Sequence, residues 1–152
     1  MKKLFAFFAG LLLAASTTFA SERGTADEAQ AMVRKAVALV KSAGKDKAFA
    51  EFNKLEQGGA FKDRDLYVMV YDKNGVNLAH GANHKLHGKN LIELKDADGK
   101  LIVKGLVDTA FAGSGKGWVE YNWPNPVTKA VEAKRTYVER VDDILIGVGV
   151  YK

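Results

Sequence analysis

The chain contains no cysteine, which rules out disulfides and thiol chemistry and leaves an oxidising compartment tolerable. It has only two prolines, Pro124 and Pro126, both in one short stretch. Although the formal net charge is +5, no basic run exceeds two residues. The clustered cationic stripe that RNA or DNA binding requires is therefore missing, and nucleic acid is not an expected partner. No second long apolar segment follows the first, so the expectation is a chain without its own transmembrane relay or cytoplasmic output domain. Repeats, low-complexity tracts and dividing linkers are also lacking, and 152 residues read as one domain.

What is present begins with an export signature. Lys2 and Lys3 precede the apolar run Leu4–Ala15, and Thr18-Phe19-Ala20 offers small residues for cleavage before Ser21. The run is short for a membrane span, which needs ~20 residues. Residues 1–20 are thus expected to be a cleaved signal peptide, and the compact signal suits a bacterial periplasm. An uncleaved inner-membrane anchor is the alternative. Removing the first 20 of 152 residues leaves 132, and losing both lysines lowers the net charge to +3. That length can bury an ordinary core.

Asp27 is the expected N-cap of a helix whose apolar stripe is Met32, Val33, Ala36, Val37 and Val40. Ser42-Ala43-Gly44 interrupts the pattern, and Phe49, Phe52 and Leu55 continue it to about Gln57. This reads as one long kinked helix or two in series. Alternation over Leu66–Tyr71 sends Leu66, Val68 and Val70 to one face of a strand and Tyr67, Met69 and Tyr71 to the other. Asn74-Gly75 predicts a type I′ hairpin turn into a return strand, Val76–His80. A loop over Gly81–Asn90 and a helix over Lys100–Ala112 follow. Three strands close the chain, at Trp118–Trp123, Val131–Glu139 and Ile144–Val150. Antiparallel hairpins with a helix-loop insertion between strands two and three predict an α+β domain with a five-stranded sheet.

Gly117–Arg140 concentrates the chemistry. It holds both tryptophans, both prolines, two of the five tyrosines and the Lys134-Arg135 pair. Val119, Tyr121 and Trp123 share a strand face, and such aromatic surfaces with a few polar handles line small-molecule pockets. Trp118 has the opposite parity and is expected in the core. His80, His84 and His87 fall within eight residues and invite a zinc or nickel reading. Gly81, Asn83 and Gly88 break any helix between them, however, and no cysteine or suitably spaced carboxylate completes a site. His80 is instead expected to be a hydrogen-bonding group in a pocket. The Asp96-Ala97-Asp98-Gly99 run has Val107 where a calcium loop needs its twelfth-position carboxylate, so it reads as a turn. Ser114 lacks an elbow pattern and no Ser-His-acid set can be specified, so neither catalysis nor a cofactor is expected.

Several blocks together resemble the single Cache domain family, type 2. They are Asp65–Asp72, Asn74-Gly75, Leu78–His80, His87–Lys89, Lys95–Lys100, Gly117–Tyr121, Trp123-Pro124, Lys134–Tyr137 and Ile146–Tyr151. They run in the family's order from about Gly44 to the end. The resemblance implies a PAS-like antiparallel sheet behind a long N-terminal helix. It also implies an extracytoplasmic sensor of small molecules, commonly short carboxylic acids, that usually forms part of a chemoreceptor, kinase or cyclase. A stand-alone exported domain, without the family's usual flanking membrane helices and signalling domain, is expected.

Lys134 matches the family's lysine position opposite the aromatic strand, which implies that it binds a ligand carboxylate. Tyr67, Met69, His80, Tyr121, Trp123 and Tyr137 complete the candidate ligand-binding set. Arg135 alternates with Lys134, and Tyr137 shares the parity of Arg135, leaving open which of these faces the cavity. The expected partners are a small organic acid, a membrane sensor protein and a second copy of the chain paired through the N-terminal helix. An accessory protein with no small ligand is the alternative function.

Overall fold

The computed structural model describes residues 22–152. The proposed leader therefore lies outside the described residues. Helix α1 (Ala26–Ala43) starts at Thr25 rather than Asp27. The Thr25 hydroxyl accepts from the Glu28 N–H, and the Glu28 carboxylate accepts from the Thr25 N–H at 2.8 Å. This reciprocal box satisfies two end donors, and Asp27 sits inside the first turn, where its charge suits the helix dipole. Ala29, Val33, Ala36, Val37 and Val40 form the buried stripe. Gly44, at φ 84°, breaks the helix in a conformation L side chains rarely adopt, and α2 (Lys45–Phe52) follows in series. The helix ends at Phe52, short of Gln57, and Leu55 is 44% exposed, so it does not belong to the stripe.

The sheet contains β1 (Lys62–Asp63), β2 (Leu66–Asp72), β3 (Asn77–His80), β4 (Lys116–Pro124), β5 (Val131–Val141) and β6 (Ile144–Tyr151). All pairings are antiparallel, in the order β3-β2-β6-β5-β4, with the two-residue β1 also paired to β2. Five strands match the sequence reading. The sixth, β1, escaped it because two residues carry no alternation, and a turn with Arg64 at φ 54° joins it to β2. The β2–β3 turn is not type I′, because only Gly75, at φ 83°, has positive φ there. Instead the Asp72 carbonyl accepts from Gly75 N–H, Asp72 N–H donates to Val76, and the Asp72 carboxylate accepts from Asn74 and Val76. That is a three-residue loop with a glycine bulge.

Helix α3 (Ile102–Phe111) covers one face of the sheet, and α1 and α2 cover the other. Strand parity decides what each layer receives. Leu66, Val68 and Val70 pack with α1, and Tyr67, Met69 and Tyr71 pack on the α3 side. Each fully buried Leu or Val contributes about 1.5–3 kcal/mol. A one-residue slip of β2 would send its tyrosines into the helix core, so the register is strongly specified.

Candidate functional site

The β4–β5–β6 registers set Tyr121 opposite Lys134 and Lys134 opposite Tyr151, in one row on the α3 face. One step along, Thr136 lies opposite Val119 and Gly149. Gly149 is required here. A Cβ at this position would lie 2.0 Å from Lys134 Cε and 2.5 Å from Thr136 Oγ1, so the glycine makes the channel in which the lysine stem lies.

Lys134 is 1% exposed, an extreme burial for a lysine. Its Nζ donates to Tyr67 Oη at 2.6 Å and lies 3.4 Å from Tyr151 Oη. The same nitrogen is 4.0 Å from the Tyr67 ring centroid and 4.7 Å from that of Tyr151, within cation–π range. Tyr151 donates to the Pro124 carbonyl at 2.9 Å, so its oxygen is left to accept from Tyr67 at 3.3 Å. Protons therefore point along one chain, from Lys134 to Tyr67 to Tyr151 to Pro124. Among the described residues, no carboxylate lies within ion-pair distance of Lys134 Nζ. Burial pushes its pKa well below the ordinary lysine value, and the charge of Asp65 opposes that shift. Asp65 is itself buried. One carboxylate oxygen accepts from Gly24 N–H at 2.7 Å, and the other has no partner.

His80, 2% exposed, is oriented by the turn after β3. Its Nδ1 accepts from the backbone N–H groups of Ala82 (3.3 Å) and Asn83 (3.0 Å), so the ring proton resides on Nε2. Burial first, then the Lys134 charge, lowers its pKa to about 3, which makes it a neutral donor at physiological pH. Its ring lies 4.9 Å from that of Tyr67. Tyr121 and Thr136 share a hydroxyl–hydroxyl bond of 2.7 Å. Burial raises the phenol pKa values of Tyr67 and Tyr121 well above normal and that of Tyr71 to about 12, so all stay protonated. The phenols and the His80 Nε2–H can donate to an anion held beside Lys134 Nζ.

Met69, His80, Tyr121 and Trp123 enclose a void of about 10 Å³ beneath Ile102 and Leu106. That is room for roughly one water. A cleft of about 240 Å³ adjoins it and shares His80 and Trp123 as walls, with Tyr67 on its floor. A larger groove, about 680 Å³, runs along α1 and α2 beside Ala38, Leu39 and Phe61, remote from the buried lysine.

Six of the seven residues expected from sequence thus converge on the α3 side: Tyr67, Met69, His80, Tyr121, Trp123 and Lys134. Tyr137 does not. It packs on the α1 side with its ring 5.3 Å from Trp118, and alternation from Lys134 forces this. Arg135 also turns away, stacking 4.3 Å over Trp118. His84 is exposed and bonds the Asn53 carbonyl, and His87 is exposed too, so the histidines do not cluster. Among the described residues, no group of three or more His, Asp or Glu side chains could hold a metal. Sequence reasoning overlooked Tyr71, Thr136, Gly149 and Tyr151. The last two share one parity of β6, whose Gly-Val-Gly-Val-Tyr alternation carried the signal.

The model of the family described as single Cache domain 2 matches residues 1–152. The chain belongs to that family. Cache domains are extracytoplasmic sensor domains, and among the described residues no helix is long and apolar enough to cross a membrane. The chain is 36% identical over 90 residues to the sensor histidine kinase MctS of Rhizobium johnstonii, covering 58% of this chain and 19% of that protein. It is 32% identical over 91 residues to the methyl-accepting chemotaxis protein McpP of Pseudomonas putida, covering 59% and 16%. The alignments thus span under a fifth of either relative. Among solved structures, a methyl-accepting chemotaxis protein from Vibrio parahaemolyticus superposes with TM-score 0.69 at 28% identity, over 82% of this chain and 86% of that one. A second, titled as the structural basis for carboxylic acid recognition by a Cache chemosensory domain, gives 0.64 at 25% identity, over 82% and 86%. The Cache fold and its α+β antiparallel sheet therefore agree with the reading from sequence.

Proposed function

We propose that this Cache domain binds a short carboxylic acid in the periplasm, without turning it over, and that the ligand carboxylate pairs with the Lys134 ammonium. The observation that carries this reading is a lysine 1% exposed, ringed by phenols, with no carboxylate in contact among the described residues. Burying an ion costs several kcal/mol unless a counter-charge offsets it. A ligand carboxylate supplies that charge, and the Tyr67 and Tyr151 hydroxyls flank it. The apolar end of the acid would lie against Met69 and Leu106, with the His80 Nε2 proton free to meet a second polar group. Because the inner void holds about 10 Å³, the acid must be short and α3 must yield as it enters. The relative titled for carboxylic acid recognition supports this choice of ligand class.

Residues 1–20 serve as a cleaved leader in this reading, and the bound state is read by a membrane sensor protein. The test is a melting-temperature panel on the exported chain with acetate, propionate, lactate, pyruvate and longer acids, using neutral amides as controls. At a hundred times its dissociation constant, a ligand of the folded state adds ~2.7 kcal/mol, a rise of roughly 6–15 °C for this size. Amides that work as well as acids would remove the carboxylate assignment. The 680 Å³ groove along α1 and α2 favours a second reading, in which the chain docks on a membrane sensor or on its own copy through α1 with no small ligand. A dimeric elution volume together with a flat ligand panel would select it.

A further inference from the structure

Two surface clefts reach the row of residues around Lys134, and they differ in charge. The first is the 240 Å³ cleft between the turn after β3 and the β4–β5 turn. Tyr67, His80 and Trp123 form its floor, and Lys129 stands at its rim with no carboxylate in the lining. Lys129 is exposed, and it is held there by a backbone at φ 64° and a 2.6 Å bond from Nζ to the Pro126 carbonyl. Lys62, on β1, is the cross-strand partner of Tyr67, which lies on the floor of this cleft. Burial and the neighbouring Lys129 charge lower the pKa of Lys62, Glu56 opposes them, and the Lys62 charge reaches His80.

The second cleft, about 210 Å³, passes the other end of the row at Tyr121 and Lys134. Asp96, Asp98 and Glu120 line it against Lys100 and Lys152. Asp96 and Glu120 are held ionised, Asp96 by backbone N–H groups led by that of Asn122, Glu120 by Lys152, 2.9 Å away. The Asp96 carboxylate accepts from Asn122 N–H at 3.0 Å, and Asp98 accepts from the Asn122 amide at 2.7 Å. These bonds fasten the insertion onto strand β4 across this approach.

We propose that acids reach Lys134 through the cleft under the β4–β5 turn, steered by Lys129 and Lys62, while the cleft beside Asp96, where carboxylates and lysines balance and the bonds from Asp96 and Asp98 to Asn122 close the approach, does not admit them. The proposal rests on the acid-binding reading. Clefts lined by one sign of charge focus the field and raise on-rates by ~10–10³. His80 and Trp123 wall both the outer cleft and the inner void, so an anion drawn to the first is delivered against the second.

The experiment uses Trp123 as the reporter, in a Trp118→Phe background that removes the tryptophan on the opposite face. Its fluorescence is quenched with iodide, caesium and neutral acrylamide at matched low ionic strength. Lys62→Glu/Lys129→Glu should lower the iodide quenching constant several-fold, raise that of caesium, and leave acrylamide unchanged. Glu120→Lys should alter none of the three. In stopped flow with propionate, the double variant should cut the on-rate about tenfold at low salt and leave the off-rate within about twofold, because the steering charges do not touch the bound acid. Unchanged iodide quenching in the double variant, or a propionate on-rate that Glu120→Lys raises, overturns the route. An iodide preference that responds as expected with no propionate binding supports the cationic mouth and counts against the acid reading alone.

Discussion

Replacing Lys134 by Met separates the two roles a buried ammonium can have. Methionine keeps most of the stem that crosses Gly149 and removes only the charge and its hydrogen bonds. In the free protein, the variant loses a charge-assisted bond to Tyr67 worth about 1.5–3 kcal/mol. It also escapes the cost of desolvating an ion, and exchanges of buried ions for apolar chains are often neutral or stabilising by ~1–4 kcal/mol. The two nearly cancel, so free-state stability should change by no more than about 2 kcal/mol. Ligand response should behave differently. The rise produced by an acid in the wild type should vanish, because the carboxylate would enter a site with phenol donors and no cation. Urea unfolding gives the first quantity and a melting-temperature panel gives the second. A free-state loss of ~3–5 kcal/mol is what breaking a buried ion pair costs. That result would refute the reasoning, since it would mean that Lys134 is already neutralised by a carboxylate of the fold, with Asp65 the first suspect.

The opposite faces of the sheet give a paired test. Tyr151→Phe should weaken acid binding by ~0.5–1.5 kcal/mol, read by calorimetry, whereas Tyr137→Phe should leave it unchanged. His80 makes the fold acid-sensitive. Its pKa is about 3 in the folded state and near 6.5 unfolded, so its contribution is full above pH 6.5 and is lost as pH falls toward 3. At ~1.36 kcal/mol per unit, urea unfolding at pH 4.5 should show a loss of about 2.5 kcal/mol from this group that His80→Gln lacks. Gly149→Ala should cost ~1–3 kcal/mol by overpacking and should also abolish acid binding, because Lys134 at 1% exposure has nowhere to withdraw.

The fold was legible because period-two patterns are unforgiving. Leu66 to Tyr71 alternates between two buried faces, and the assignment of each residue to a face held without exception. Helix ends were less legible, since Thr25 wins over Asp27 only through the reach of Glu28, and both residue types can cap. The same alternation made the candidate site partly readable, and it contained the argument against Tyr137 from the start. What it could not supply was contact across strands distant in sequence. Tyr151 joins Lys134 because β6 lies between β2 and β5, so the last strand completes a site that begins on the first long one. No local pattern announces such a pairing. Yet the vacant side of Gly149 is its physical consequence. A long side chain from β5 can lie flat across β6 only where β6 offers no Cβ, and a strand written Gly-Val-Gly-Val-Tyr opens that space on one face while packing valines against α1 on the other.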